Sequence, residues 1–460
     1  MENFWDSNVW GTFALFAVLL ISLLIANALK RTLKFLKRSL IPTSVLAGAI
    51  LLAFAGVWDA FVSVPFFESE LFGGRGYALL EIITYHALAL GFIASTLKSG
   101  KGKLTKERTT EIFNTGVTTV STYLLQGVVG IAITIIAAYV ISGFPSFSGI
   151  LLPFGYGQGT GQAMNYGNIY ETQHGFVGGK NFGLTIAALG FLSASFGGVI
   201  HLNIIRRKMK LDTFDEDDSA GKTGRVEYRR EIPMQGSIDK LTVQIALVAL
   251  AYLLTYGIMF GLGELLPGMK ATVYGFNFLL GVLAATLIKG VLAVFKGRRM
   301  MKREHVNDFL MTRISNVCFD IMVVAGIAAI RFGLLEDYWG IIVILGVVGL
   351  IITYIYNRIV AKTLFPNYTE EQFLMMYGML TGTASTGTIL LREIDGDFKT
   401  PAADNMVYQN FPAIAFGFPL MLIATFAPGN EIVTLAILGG FFLVMNIILF
   451  RAKIFRRRKK

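Results

Sequence analysis

The amino-acid sequence predicts an all-α polytopic membrane protein of two inverted-topology repeats, each with a re-entrant hairpin, and about 11 transmembrane helices. Three observations predict it. Of 460 residues, 54% are hydrophobic and 50 are glycine, while only 15% are charged; a soluble domain carries about 25% charge. The charge sits in clusters just outside apolar stretches. Two glycine-rich segments cannot be crossings without inverting the charge parity of everything after them. Disorder, collagen-like repeats and a soluble enzyme with one water-facing shell are excluded.

A spanning helix needs about 20 mostly apolar residues. Such stretches lie at 9–29, 40–62, 77–97, 111–142, 176–205, 239–264, 273–295, 309–334, 338–361, 403–426 and 431–450. The N-terminus, Met-Glu-Asn-Phe-Trp-Asp, lacks a basic n-region, so the first stretch is expected to stay in the mature chain. Every odd crossing ends in positive charge. Lys30, Arg31, Lys34, Lys37 and Arg38 follow the first; Lys98, Lys101, Lys103, Lys106 and Arg108 follow the third. Arg206–Lys210 follow the fifth, Lys296–Arg303 the seventh, Arg358 and Lys362 the ninth, and Arg451–Lys460 the eleventh. The opposite connections are short and acidic or neutral, with Glu68, Glu70, Glu264, Glu336, Asp337 and Glu431. Cytoplasmic loops carry the Lys and Arg. The N-terminus is therefore expected outside the inner (plasma) membrane and the C-terminus in the cytoplasm. The net charge of +11 belongs to this pattern and does not call for nucleic acid.

The segments that break the parity are 144–175 and 369–400. The first holds Pro145, Pro153 and Gly155-Tyr-Gly157-Gln-Gly159-Thr-Gly161-Gln-Ala-Met-Asn165; the second holds Gly378-Met-Leu-Thr381-Gly382-Thr383-Ala-Ser385-Thr386-Gly387-Thr388. Each follows four crossings in its half, the first entering from outside and the second from the cytoplasm. An offset of 223 aligns Gly155 with Gly378, Gly159 with Gly382 and Thr160 with Thr383. The expected organisation is a repeat at 1–205, a polar cytoplasmic linker at 206–238, a second repeat at 239–426, and an extra helix with a basic tail at 427–460. The linker is mixed in sign, with Asp215-Glu216-Asp217-Asp218 in a basic frame, and reads as solvated.

Irregular backbone at membrane depth must be buried in protein or line a watery cavity, because lipid satisfies neither amides nor carbonyls. Inverted repeats with broken helices recur in secondary transporters, where half-helix N-termini hold anions and unwound carbonyls hold sodium. The competing reading is that the glycines only allow close helix packing. Hard sodium ions suit the oxygens of Thr160, Asn165, Thr381, Thr383, Ser385, Thr386 and Thr388. Glu81 and His86 lie in the third helix, Lys180 and Asn181 open the helix after the first hairpin, and Asp404 and Asn405 open the helix after the second. Ionisable groups in a membrane are functional candidates, with interfacial anchoring as the alternative. Arg392, read as one turn past the second tip, could clasp a carboxylate bidentately or pair with Glu393 or Asp395. Arg313, Asn316 and Asp320 at helical spacing read as a structural cluster. Gly155-Tyr-Gly157-Gln-Gly159 lacks the βαβ setting of a dinucleotide loop. There is no complete Gly-x4-Gly-Lys-Ser/Thr element for ATP, because Glu216 stands where Gly221-Lys222-Thr223 would need its first glycine, and His86, His174, His201 and His305 lack metal-ligand spacing. The lone Cys318 reads as a small apolar residue. No enzyme constellation and no cofactor is expected.

At the hairpins the chain resembles the bacterial sodium/glutamate symporter family, as a divergent member. Gly157-Gln158-Gly159-Thr160-Gly161 resembles the family's first glycine-rich hairpin, and Gly378-x3-Gly382-x3-Thr386 its second. Phe35-Leu36-Lys37-Arg38-Ser39-Leu40-Ile41-Pro42, followed by Val45-Leu-Ala-Gly48, is similar to its first inside loop. The resemblance runs over nearly the whole chain at low identity. It implies a two-half inverted-repeat fold, a homodimer, and sodium-driven uptake of glutamate by alternating access. Gln158 stands where the family usually has His, and Ala384-Ser385-Thr386 where it usually has Thr-Pro-Thr. Leu391-Arg392-Glu393-Ile394-Asp395 and the eleventh crossing also depart from it. The expected substrate site comprises Gly157, Gln158, Gly159, Thr160, Gly161, Gln162, Thr383, Ser385, Thr386, Arg392 and Asn405, with Asn165, Asn181, Thr381, Thr388 and Asp404 for sodium. A carrier of another small carboxylate and an anion channel are the alternatives.

Overall fold

Apolar stretches that must satisfy their own backbone form helices, and the described chain is helical almost throughout. The computed structural model describes residues 3–98, 105–209, 239–298, 306–396 and 399–456. The linker expected at 206–238 lies outside them from residue 210 on, as do His305 and parts of the basic clusters. The first half contains α1 (Ser7–Thr32), a short α2 (Lys34–Arg38), α3 (Thr43–Phe61), α4 (Gly76–Leu97), α5 (Lys106–Val140), α6 (Leu151–His174) and α7 (Gly179–Met209). The second contains α8 (Lys240–Leu265), a short α9 (Lys270–Gly275), α10 (Asn277–Gly297), α11 (Asp308–Ala328) and α12 (Trp339–Leu364). It continues with α13 (Thr369–Thr381), α14 (Ala384–Arg392), α15 (Ala402–Tyr408) and α16 (Asn410–Phe426). Then come α17 (Glu431–Leu449) and α18 (Arg451–Arg456).

Among the described residues, 10 helices are long and apolar enough to cross a membrane, and they fall on ten of the expected stretches. The remaining stretch, 403–426, is a bent pair whose helices meet at 51°. Neither 144–175 nor 369–400 is among them. In both halves the order is four long helices, a broken segment, and a further helix.

The broken segments double back on themselves. In α6 the helix is interrupted at Gly159, whose φ of 78° and ψ of −171° are ordinary for glycine alone. Phe154 and Tyr166 stack across that break, with ring centroids 4.1 Å apart and planes 4° from parallel. In a continuous helix they would stand about 18 Å apart. The second segment breaks at Gly382 and Thr383, between α13 and α14. A Cβ on Gly378 would stand 2.9 Å from the Gly387 Cα, so α13 and α14 lie side by side. The offset of 223 carries Gly159 onto Gly382, one break onto the other.

Two compact units cut across the sequence halves. One comprises Met1–Tyr85, Lys103–His201 and Asp320–Lys460, and the other His86–Gly102 and Leu202–Phe319. In the first unit α5 packs against α6, α12, α16 and α17. The added α17 lies along α5, with Leu438 against Gly127 and Arg451 Nη1 donating to Asn114 Oδ1 at 3.1 Å. Glycines let the first hairpin sit on α5: a Cβ on Gly149 would fall 2.0 Å from the Gly130 carbonyl oxygen. The second unit has its own core of Ile93, Leu97, Val248, Ala251, Ala285 and Met311. There Ser315 donates to the Gly91 carbonyl at 2.9 Å, and the Phe319 ring lies on Gly91.

Gly149→Val therefore forces the first hairpin off α5. The expected cost is about 1–3 kcal/mol of overpacking, read as a lower thermal midpoint in detergent. Gly56→Val, where an added Cβ meets nothing within 4 Å, should leave that midpoint in place.

Candidate substrate and ion site

The two breaks meet inside the first unit. A Cβ on Gly159 would stand 3.4 Å from Thr383 Cγ2, 3.7 Å from Met322 Cε and 4.0 Å from Phe191 Cζ. The Phe191 ring also lies against Gly382, so one fully buried side chain of α7 touches both tips. Gly190 beside it lies where a Cβ would stand 2.6 Å from the Thr381 carbonyl oxygen and 3.2 Å from Tyr156 Cα. On the α11 side, Thr160 Oγ1 donates to the Met322 carbonyl at 3.2 Å. Tyr123 of α5 donates to the Gly157 carbonyl at 2.9 Å.

Each tip thus ends one half-helix and begins another. The first three or four N–H groups of a helix and its last carbonyls have no intrahelical partner. The second arm of α6 begins at Thr160 and α14 begins at Ala384, so two sets of free amides start where the tips meet. Helix N-termini favour anions. Thr383 caps α14 without a side-chain hydrogen bond to its first amides. Two buried side-chain atoms there lack a hydrogen-bond partner: Gln162 Nε2, a donor in the first turn after Gly159, and Thr386 Oγ1, in the first turn of α14. Gln158, Thr383 and Ser385 are partly exposed at the tips.

The predicted residues divide. Gly157, Gln158, Gly159, Thr160, Gly161, Gln162, Thr383, Ser385 and Thr386 gather at the two breaks. Asn165 lies one turn behind and donates to Gln162 Oε1 at 3.3 Å. Arg392 does not sit one turn past the second tip. It is the exposed last residue of α14, nine positions beyond Thr383 and about 13 Å along the axis. Asn405 is buried at the base of that hairpin, donating to Tyr368 Oη and Gln372 Oε1 at 3.0 and 3.1 Å. Asp404 beside it is exposed, 3.8 Å from Arg108 Nη2. Asn181 Oδ1 accepts from the Arg331 amide at 2.7 Å. Thr381 and Thr388 each donate to the carbonyl four residues back, at 2.6 and 2.9 Å.

The other ionisable candidates are engaged away from the tips, and Arg313 and Asp320 are engaged with different partners. Glu81 accepts from Lys180 Nζ at 2.7 Å and Arg331 Nη2 at 2.9 Å, joining the start of α7 to the chain after α11. His86 Nδ1 meets Tyr252 Oη at 2.6 Å. Arg313 lies over the Phe309 ring, and Asp320 accepts from Ser44. Among the described residues no three His, Cys, Asp or Glu side chains converge to hold a metal.

Sequence reasoning missed a buried polar face between α5 and α12. Gln126 Nε2 donates to Thr353 Oγ1 at 2.8 Å and to the Leu380 carbonyl, near the end of α13, at 3.0 Å. Asn357 Nδ2 donates to the Thr353 carbonyl at 2.9 Å. The signal was present as polar residues four apart in apolar helices: Thr118, Thr122 and Gln126, and Thr353 and Asn357.

The model of the sodium/glutamate symporter family matches residues 9–371. The chain belongs to the sodium/glutamate symporter family. Its coupling ion is sodium and its cargo glutamate, and it is a multi-pass membrane transporter. Among curated proteins none matches the chain. The family match takes in the first hairpin and ends at the third residue of α13, so the second break lies beyond it.

The base of that second hairpin is held by charge. Glu370 accepts from both Arg358 guanidinium nitrogens at 2.6 Å and from His201 Nε2 at 2.8 Å, and His201 Nδ1 meets Tyr354 Oη at 2.7 Å. Burial opposes the Glu370 charge, but the Arg358 and His201 hydrogen bonds outweigh it and hold the carboxyl below its ordinary 4.5. A lowered carboxyl contributes stability above its unfolded pKa and loses it as pH falls through the folded one. Glu370→Gln is expected to lower the thermal midpoint at pH 7. The gap from the parent should narrow below pH 4.5; a gap independent of pH would count against the ionic account.

Proposed function

We propose that the facing breaks form the glutamate site, and that the two hairpins gate it in turn from opposite faces of the membrane. The observation that carries this is the meeting at Gly159 and Thr383 of two half-helix N-termini, with a buried unpartnered donor, Gln162 Nε2, beside one of them. Glutamate brings two carboxylates, and each takes one set of amides. Gly157, Gly159 and Gly161 keep side chains out of the first set; Ser385 and Thr386 belong to the second. A proline at 385, as the family pattern has it, would lack an N–H; Ser385 adds one. Arg392 and Asn405, away from the tips, are left to the cytoplasmic mouth and base of the second hairpin. In this reading the halves are inverted repeats, the N-terminus is outside, the C-terminus is cytoplasmic, and the assembly is a homodimer.

Purified protein in proteoliposomes should accumulate labelled glutamate uphill under an inward sodium gradient and lose it when the gradient collapses. Flux only down the glutamate gradient would indicate a pore. Accumulation of another dicarboxylate but not glutamate would move the cargo alone. Gln162→Leu should raise the glutamate KM about tenfold or more, as expected for loss of a hydrogen bond to a charge.

The gating geometry has a separate check. In a Cys318→Ala background, Ser142→Cys and Gln173→Cys flank the first hairpin, and Asn367→Cys and Lys399→Cys flank the second; all four positions are exposed. An impermeant thiol reagent should label the first pair from outside and the second from inside. Labelling of the two flanks of one hairpin from opposite faces would make it a crossing.

A further inference from the structure

We propose that the coupling sodium ion binds between α5 and α12, on Gln126 Oε1 and Asn357 Oδ1, at the carbonyl end of α13. This rests on the sodium-coupled reading above and places the ion away from the residues the sequence nominated.

Both side chains are fully buried, and both oxygens lack a hydrogen-bond partner. Their orientation is fixed by their nitrogens. Gln126 Nε2 donates to the Leu380 carbonyl and Asn357 Nδ2 to the Thr353 carbonyl. A carbonyl only accepts, so turning either amide over would set oxygen against oxygen. The two amide oxygens are therefore true acceptors with nothing donating to them. Thr122 Oγ1, which gives its proton to the Thr118 carbonyl at 2.8 Å, lies 3.5 Å from Asn357 Nδ2 and adds a further oxygen to the same face. Thr353 bears on both amides, its Oγ1 accepting from Gln126 Nε2 at 2.8 Å and its carbonyl from Asn357 Nδ2 at 2.9 Å.

The local field has the matching sign. The last turn of α13 ends at the break, so its final carbonyls lack intrahelical donors and carry partial negative charge. One of them, Leu380 O, is already tied to Gln126. Neutral oxygens around a half-helix C-terminus suit a monovalent hard cation, as in other transporters built on broken helices. By contrast, Asn181 Oδ1 already accepts from the Arg331 amide, and Asp404 is exposed beside Arg108. The site would also couple ion to substrate. An ion held there ties α13 to α5 and α12 two residues before the break, and so sets the tip from which α14 presents its amides.

The test uses the full chain in proteoliposomes, with glutamate uptake measured against sodium concentration, and the thermal midpoint of detergent-purified protein in sodium against choline chloride. Ligands that bind the folded state raise its midpoint. The parent should show sodium-dependent uptake and a sodium-induced rise. In Gln126→Leu and Asn357→Leu the half-saturating sodium concentration should rise tenfold or more and the thermal rise should vanish. The glutamate KM at saturating sodium should change less than threefold. Gln126→Asn keeps the amide but draws its oxygen back by one methylene, and should raise the half-saturating sodium concentration severalfold. Folded Leu variants with the parent's sodium dependence would overturn the site. If neither Leu variant folds, Gln126→Asn decides, and the parent's sodium dependence there would overturn it. A parent that transports glutamate without sodium would instead overturn the function proposed above.

Discussion

Two interruptions of helical backbone, at Gly159 and at Gly382–Thr383, set the terms for the rest of the first compact unit. A broken helix exposes amides on one side of the break and carbonyls on the other, and lipid satisfies neither. Both breaks must therefore be wrapped by protein. That requirement explains where close approach is found. Gly190 lets α7 touch both hairpins, and Gly130 and Gly149 let α5 receive the first one. Gly346 and Gly349 admit Leu189, Leu152 and Tyr156 against α12. Small residues serve packing in membranes generally; here the packing surrounds exposed backbone.

Two of the buried polar atoms without partners match in sign the end of the half-helix beside them. Gln162 Nε2, a donor, lies where α6 restarts and amides are free. Gln126 Oε1, an acceptor, belongs to the side chain held at the end of α13, where carbonyls are free. An orphaned buried polar group costs about 1–3 kcal/mol, so an atom of the wrong sign would gain nothing from the backbone beside it. A negative ligand would meet donors in the first place, and a positive one would meet acceptors in the second. In the arrangement proposed above, the breaks hold anion chemistry and cation chemistry apart by only a few residues of chain.

Much of this was legible in the sequence. Apolar length located ten of the eleven expected stretches as long apolar helices, and charge parity singled out 144–175 and 369–400, which the structure breaks at Gly159 and at Gly382–Thr383. The offset of 223 found the position of both breaks, since only glycine accepts the φ at 159 and its counterpart stands at 382. What sequence reasoning misplaced was distance along and around helices. Arg392 is near the second tip in sequence, but α14 runs unbroken to it and carries it away. Thr381 and Thr388 each bond to the carbonyl one turn back, as helical threonines readily do. Gln126, Thr353 and Asn357 belong to polar stripes four residues apart in α5 and α12, but only packing reveals that the two stripes face one another.

The placement of Leu380 carries the synthesis one step further. Its carbonyl is bound by Gln126, a residue of the long α5, and it lies two residues before the second break. The same α5 holds the first hairpin twice, through Tyr123 on the Gly157 carbonyl and through the Gly130–Gly149 contact. One helix thus bears on both tips, at the carbonyl end of each first arm. A charge arriving at either carbonyl end changes how firmly that arm is held to α5. The amides that follow each break move with the arm, so the anion site cannot be indifferent to what occupies the carbonyl ends. Coupling between two cargoes of opposite sign then follows from a shared backbone break, without a long path between their sites.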